Sequence, residues 1–228
     1  MKVGFVTIGQ SPRDDIIPEM REILGSDVEI IERGALDGLT PEEIKNFYPE
    51  ANDWVLITRM RDGTEVKIAK KHIIERMKRC ISDLEDGVDM IILLCTGEFP
   101  EIKSRNKKII LRPDRIMMNM IGGILEKEKG KGRLGVIAPS SDQITAVKKK
   151  WERTHLRVVV EAVSPYTGDR EDVEKTARKI SDSDVDLIVL DCLGFDKTTK
   201  SIFRSITHKP VLLPRTIVAR VARELMEY

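Results

Sequence analysis

Val88-Asp89-Met90-Ile91-Ile92-Leu93-Leu94-Cys95-Thr96-Gly97 returns later in the chain as Val185-Asp186-Leu187-Ile188-Val189-Leu190-Asp191-Cys192-Leu193-Gly194. Each copy is a short aliphatic and β-branched run ending in a glycine-containing turn, the pattern of a buried strand. In each, the cysteine stands where the strand runs out, and in open parallel sheets that edge is where ligands bind. Matched thiols in two halves point to a site in the cleft between them, with one sulfur on either side.

The correspondence extends outward from the cysteines. Lys2-Val3-Gly4-Phe5-Val6 opens the first half and Arg133-Leu134-Gly135-Val136-Ile137 the second. Lys108-Ile109-Ile110-Leu111-Arg112-Pro113 precedes an amphipathic helix rich in Met and Ile. Pro210-Val211-Leu212-Leu213-Pro214-Arg215 precedes another, running through Ala222 to Met226. Three blocks recurring in one order read as an internal repeat. The expected fold is α/β, with two pseudo-symmetric lobes and mostly parallel sheets. The lobes cover 1–113 and 114–213, and a helix over 214–228 packs back on the first. Lys127-Glu128-Lys129-Gly130-Lys131-Gly132 reads as a flexible linker.

The chain has 228 residues, enough for one large domain or two small lobes, and 41% hydrophobic content supplies a core. Only 4% is aromatic, so aliphatic packing dominates. With 39 basic and 38 acidic residues and no sustained Lys/Arg block, nothing favours nucleic acid as a partner. No apolar run approaches the roughly 20 residues that span a membrane, so no membrane role is read. Met1 to Ile8 is broken too early, by Gly9-Gln10-Ser11-Pro12, to be a signal peptide. Three cysteines lack the spacing of a disulfide framework or a zinc site, which fits a reducing cytoplasm and no metal.

Alternating strand and helix patterns fill both halves. Val3 to Ile8 reads as a strand. Ser11-Pro12-Arg13-Asp14 then reads as a helix start, with Ser as N-cap, Pro in the first helical position and an acid in the first turn. Asp27 to Glu32 is a second strand, and Thr40-Pro41-Glu42-Glu43 carries a capping-box pattern. Asp62-Gly63 lies between strand-like flanks, a hairpin signal. The second half has no counterpart, so the hairpin over 51–69 is read as an insertion, either a flap or a contact in a homodimer. Lys70 to Leu84 and Asp169 to Ser183 read as helices, Val158 to Val163 as a strand, and Ser140-Ser141-Asp142 as a further helix start.

Cys95 and Cys192 are the candidate catalytic pair, although a free cysteine is also a common small core residue. Backbone N–H groups at Thr96, Gly97, Leu193 and Gly194 can lower a thiol pKa and stabilise an enolate-like anion. Two thiols flanking one carbon can remove and return a proton, and a thiolate can also add to a double bond. Asp191 works against Cys192 unless strand alternation turns it to the other face, and if buried it needs a partner.

The first loop, Thr7 to Arg13, is the candidate clamp for a carboxylate or other small anion. Gly9, Gln10 and Ser11 would form a helix N-terminus, and Arg13, Arg59 and Arg61 would add charge-assisted bonds. The corresponding second-half loop contributes Ser140. An ordinary capped turn or solvated arginines would give the same patterns. His72 and Cys80 share a helix without further ligands, so a metal is not implied.

Thr7-Ile8-Gly9-Gln10-Ser11-Pro12-Arg13, Arg59-Met60-Arg61-Asp62-Gly63-Thr64 and Leu190-Asp191-Cys192-Leu193-Gly194-Phe195 together resemble the AroM family, nearly end to end. That family is grouped with the aspartate/glutamate racemase superfamily. The resemblance implies two similar lobes with the site between them. It also implies cofactor-free chemistry at a carbon next to a carboxylate, with Cys95 and Cys192 as the cysteines and Gly9, Gln10 and Ser11 as the first loop. Racemases acting on acidic amino acids follow the cysteines with Asn-Thr and Thr-His. Here Thr96-Gly97 and Leu193-Gly194 stand instead, which argues against free aspartate or glutamate. The expected activity is that of an isomerase, racemase or lyase. The alternative is a small-molecule-binding or regulatory protein on the same fold.

Overall fold

The computed structural model describes residues 1–125 and 132–226. Of the expected linker, all but Gly132 lies outside the described residues. The chain forms two compact units, Met1–Asp114 with Val218–Tyr228, and Arg115–Ile217.

In chain order the elements begin with β1 (Lys2–Thr7), α1 (Ile17–Leu24), β2 (Glu29–Gly34) and α2 (Pro41–Lys45). They continue with β3 (Val55–Arg59), β4 (Glu65–Ala69), α3 (Lys70–Leu84), β5 (Met90–Leu94), β6 (Ile109–Leu111) and α4 (Pro113–Ile124). Then come β7 (Arg133–Ala138), a 3-10 turn (Ser141–Gln143), α5 (Ile144–Glu152), β8 (Arg157–Ala162) and α6 (Arg170–Ser181). The series ends with β9 (Leu187–Leu190), α7 (Lys197–Thr207), β10 (Val211–Leu212) and α8 (Pro214–Glu224).

The first unit holds a parallel sheet in the order β2-β1-β5-β6, and the second a parallel sheet in the order β8-β7-β9-β10. The strand orders correspond one to one. Each cysteine therefore follows an interior strand of its own sheet, flanked by the strand that opens its half. Every residue of β5 and β9 is buried, as the unbroken apolar runs require of strands covered on both faces.

In the second unit, Ile188 and Leu190 join one core cluster with Ile137, Phe195 and Phe203. Leu187 and Val189 join another with Val136 and Trp151, on the opposite face. The first core is aliphatic, drawing on Val6, Ile91, Leu93, Ile73 and Met77, and takes Leu56, Met60 and Ile68 from the hairpin strands and turn. Burying each such side chain contributes about 1.5–3 kcal/mol.

Several local readings hold to the residue. Lys70–Leu84 is one helix. Thr40 caps α2 in a reciprocal capping box with Glu43. β3 and β4 pair antiparallel around Asp62-Gly63, with the Asp62 carboxylate accepting the Thr64 N–H at 2.9 Å and Gly63 at φ 96°.

The helix start at Ser11 is overturned. The Ser11 hydroxyl and N–H both donate to Asp37, at 2.6 and 2.8 Å, so this residue is bonded sideways rather than forward. The Arg13 carbonyl accepts the N–H groups of Ile16 and Ile17, forming a turn. The helix begins only at Ile17, with Pro18 in its first turn, so the first loop offers no helix N-terminus. The reading also places no helix between Cys192 and Pro210, yet α7 lies there. Its cap, Asp196, accepts the Thr199 N–H at 2.7 Å, and Ile202, Phe203 and Ile206 give it an apolar face.

Candidate functional site

Cys95 comes directly after β5 and is half-buried, and its Sγ accepts the Gly97 N–H at 3.3 Å. Cys192 lies two residues beyond β9, is half-buried likewise, and its Sγ accepts the Gly194 N–H at 3.3 Å. A sulfur that accepts a backbone N–H carries negative charge more readily. The two cysteines of the repeat thus sit in the same turn geometry, each in its own unit.

Strand register brings the opening loops to the same sheet edges. Thr7 pairs with Leu94, so the loop from Ile8 leaves β1 beside Cys95. Ile137 pairs with Leu190, so the Pro139-Ser140 loop leaves β7 beside Asp191 and Cys192. Ser140 acts as a cap there, its hydroxyl accepting the Asp142 N–H at 3.3 Å.

The first loop is bonded to its own surroundings. Gln10 Nε2 donates to the Leu39 carbonyl at 3.2 Å and, more weakly, to that of Leu36, while its Oε1 accepts the Arg61 N–H at 2.9 Å. The Arg61 guanidinium donates to the Ser11 carbonyl at 2.8 and 2.5 Å. Gly9 lies so close to β3 that an added Cβ would sit 2.5 Å from the Arg59 carbonyl oxygen and would overlap the Thr58 hydroxyl. The hairpin is therefore a wall fastened to this loop, with Gln10, Ser11 and Arg61 as the fastening.

Arg13 is buried, 2% exposed, and forks onto Asp15 at 2.8 and 2.7 Å while also donating to Thr7 Oγ1. Burial pushes the Asp15 carboxyl up, but the Arg13 fork, with Arg59 at 4.0 Å, outweighs it and holds the carboxyl below its usual range. Glu32 accepts the Arg13 N–H at 2.7 Å, yet burial and the nearby Asp14 and Asp15 raise its carboxyl above its ordinary value. Gln10, Ser11, Arg13 and Arg61 are thus brought together, but bonded to one another's neighbourhood.

The second cysteine turn keeps Asp191 on the opposite face, as strand alternation leads one to expect, and adds buttresses the sequence does not announce. Asp191 faces away from Cys192: its Oδ2 accepts Lys150 Nζ at 2.5 Å and Trp151 Nε1 at 2.8 Å, on the α5 side, whereas Cys192 packs with the Phe195 and Phe203 cluster. Arg215 donates to the Leu193 and Gly194 carbonyls, both at 2.8 Å. Gly194 leaves room for the Tyr166 ring, whose hydroxyl would lie 2.6 Å from an added Cβ. Arg112 makes a related clamp in the first unit, donating to the Phe99 carbonyl at 2.8 Å and to that of Ile102. The only sequence signal for either arginine is its place beside a proline just after the fourth strand of its sheet.

His72 stacks on Phe47 with ring centroids 5.6 Å apart. Cys80 is buried, and burial first, then Asp37 and Asp83, pushes its thiol up to about 11. No cluster of three or more His, Cys, Asp or Glu side chains arranged for a metal occurs among the described residues. No helix among them is long and apolar enough to cross a membrane.

Two units, each with a four-stranded parallel sheet, give the aspartate/glutamate-racemase fold, as the likeness to solved structures shows. Glutamate racemase from Francisella tularensis superposes with a TM-score of 0.63 at 14% identity, covering 99% of this chain and 80% of that one. An arylmalonate decarboxylase gives 0.62 at 12% identity, covering 99% and 92%. A Nocardia farcinica maleate cis-trans isomerase, solved with a covalently bound succinylcysteine intermediate, gives 0.60 at 14% identity, covering 99% and 92%. A search of curated protein sequences finds no match. The chain belongs to the AroM family, whose model, described as AroM protein, matches residues 3–226.

Proposed function

We propose that the chain is a cofactor-independent isomerase, racemase or lyase acting at the carbon next to a carboxylate of a small molecule, with Cys95 and Cys192 as its acid/base pair. One thiolate removes a proton or adds to a double bond, and the other thiol delivers a proton. The matched sulfurs support this reading most: each follows an interior strand and accepts the N–H two residues on, at 3.3 Å. The fold likeness to a racemase, a decarboxylase and an isomerase with a cysteine adduct is consistent with it. Gln10, Ser11, Arg13, Arg59, Arg61 and Ser140 then shape the walls, and contact with substrate falls to the Cys95-Thr96-Gly97 and Cys192-Leu193-Gly194 turns together with Gly9.

The test is exchange of a carbon-bound proton for deuterium across a panel of small carboxylates in deuterated water. General acid–base catalysis contributes about 10²–10⁴-fold, so Cys95→Ser and Cys192→Ser should each lose at least the lower figure. Equal exchange in wild type and both variants refutes the assignment.

A second reading is a binding or regulatory protein without turnover. The engagement of Gln10, Ser11, Arg13 and Arg61 within the protein favours it, since these are the side chains expected to grip a reacting carboxylate. It predicts calorimetric binding of a small anion with the same affinity in wild type and the Cys95→Ser, Cys192→Ser double variant.

A further inference from the structure

We infer that Arg215 is the positioning residue for Cys192, setting and polarising the peptide group that binds its sulfur. The argument concerns the Leu193–Gly194 peptide. In a trans peptide the C=O and N–H point in opposite directions, and Ser11–Pro12 is the one cis bond in the described chain. Arg215 Nε donates to the Leu193 carbonyl at 2.8 Å, so the Gly194 N–H of the same peptide faces the other way, onto Cys192 Sγ at 3.3 Å. Arg215 Nη2 holds the next carbonyl, Gly194, also at 2.8 Å. A guanidinium buried to 1% exposure acts in a low dielectric, where a charged donor at one end of a peptide strengthens the hydrogen bond made at the other.

Three other charged or titratable groups of this unit flank the turn. Asp191 faces α5 and is held by Lys150 and Trp151. Asp196 caps α7 through the Thr199 N–H. Tyr166 lies against Gly194. In the first unit the sulfur receives the same N–H, but Arg112 clamps the Phe99 and Ile102 carbonyls, farther along the loop than Gly97. Arg215 thus reaches the Cys192 turn directly, through the two carbonyls that follow the cysteine.

The experiment is a thiol titration of the full chain without substrate, by thiolate ultraviolet absorbance and by alkylation rate against pH. In a Cys80→Ala, Cys95→Ser background, Arg215→Met should raise the Cys192 pKa by about one unit, about tenfold less thiolate at a given pH below it. Arg215→Lys, which keeps the charge, should fall between. In a Cys80→Ala, Cys192→Ser background, Arg215→Met should leave the Cys95 titration where it was, which a general loss of structure would not do.

A Cys192 titration unmoved in both Arg215 variants overturns the inference. If Arg215→Met fails to fold, the Arg215→Lys variant decides: a Cys192 titration unmoved in it overturns the inference. Absence of proton exchange on any carboxylate removes the proposed function and leaves this inference standing. An Arg215-independent thiol does the reverse.

Discussion

Lys150 Nζ lies 2.5 Å from Asp191 Oδ2, and the two side chains are only 4% and 1% exposed. Asp191 follows the apolar run of β9 one residue before Cys192, so its charge is drawn to the far face of the sheet and bonded there, with Trp151 Nε1 on the same oxygen. Removing one member of a buried pair leaves an uncompensated charge, at a cost of about 3–5 kcal/mol. Lys150→Met should lower unfolding stability by that amount, and Lys150→Met with Asp191→Leu should recover most of it. Chemical denaturation of the two variants checks this. A single variant within roughly 0.5 kcal/mol of wild type would show that the pair carries no such weight.

The contact between the first loop and the hairpin makes a steric prediction. Gly9→Ala places a methyl 2.5 Å from the Arg59 carbonyl oxygen and against the Thr58 hydroxyl, and the backbone atom cannot swing aside. Overpacking of this kind costs about 1–3 kcal/mol. Gly123→Ala is the control: that position lies within α4 and nothing stands within 4 Å of the added methyl. It should gain about 0.5–1 kcal/mol from the helix preference alone. Equal effects at the two sites would contradict the assigned contact.

Glu85 governs part of the acid limb. Burial pushes its carboxyl up, but hydrogen bonds from the Arg105 guanidinium and the Ser104 hydroxyl, with the N–H groups of Arg105 and Asn106, outweigh burial and hold it below 4.5. A carboxyl lowered in the folded state contributes stability that is fully present above its unfolded value and is lost as pH falls through the folded one. Stability should therefore decline on acidification below about pH 4.5. Glu85→Gln should be less stable at neutral pH and show a flatter acid limb. A limb of unchanged steepness in Glu85→Gln counts against this assignment.

The three thiols should separate by reactivity. Burial and nearby carboxylates hold the Cys80 thiol at about 11, so it carries almost no thiolate near neutrality. Cys95 and Cys192 are half-exposed and each receives a backbone N–H. Iodoacetamide near pH 7, read by peptide mass mapping, should modify Cys80 last. Early labelling of Cys80 in the folded protein would overturn this order.

Much of the molecule was legible because the relevant forces are local. The apolar runs before Cys95 and Cys192, the periodicity from Lys70 to Leu84, the Thr40 capping box and the Asp62-Gly63 turn depend on residues a few positions apart, and each stands as read. α7 is equally local in its signals, through the Asp196 cap and the apolar spacing of Ile202, Phe203 and Ile206.

What the chain alone determined is where strands end in cysteines, since burial of an aliphatic run and the turn after it are written in adjacent residues. Tertiary structure decided what the polar side chains around those ends do. Ser11 caps no helix because Asp37 takes its hydroxyl, Gln10 and Arg61 secure the hairpin to the loop, and Arg215 reaches back to the Leu193 carbonyl. A hydrogen-bonding side chain satisfies whichever partner the fold brings near, and partners distant along the chain leave no periodicity by which to find them.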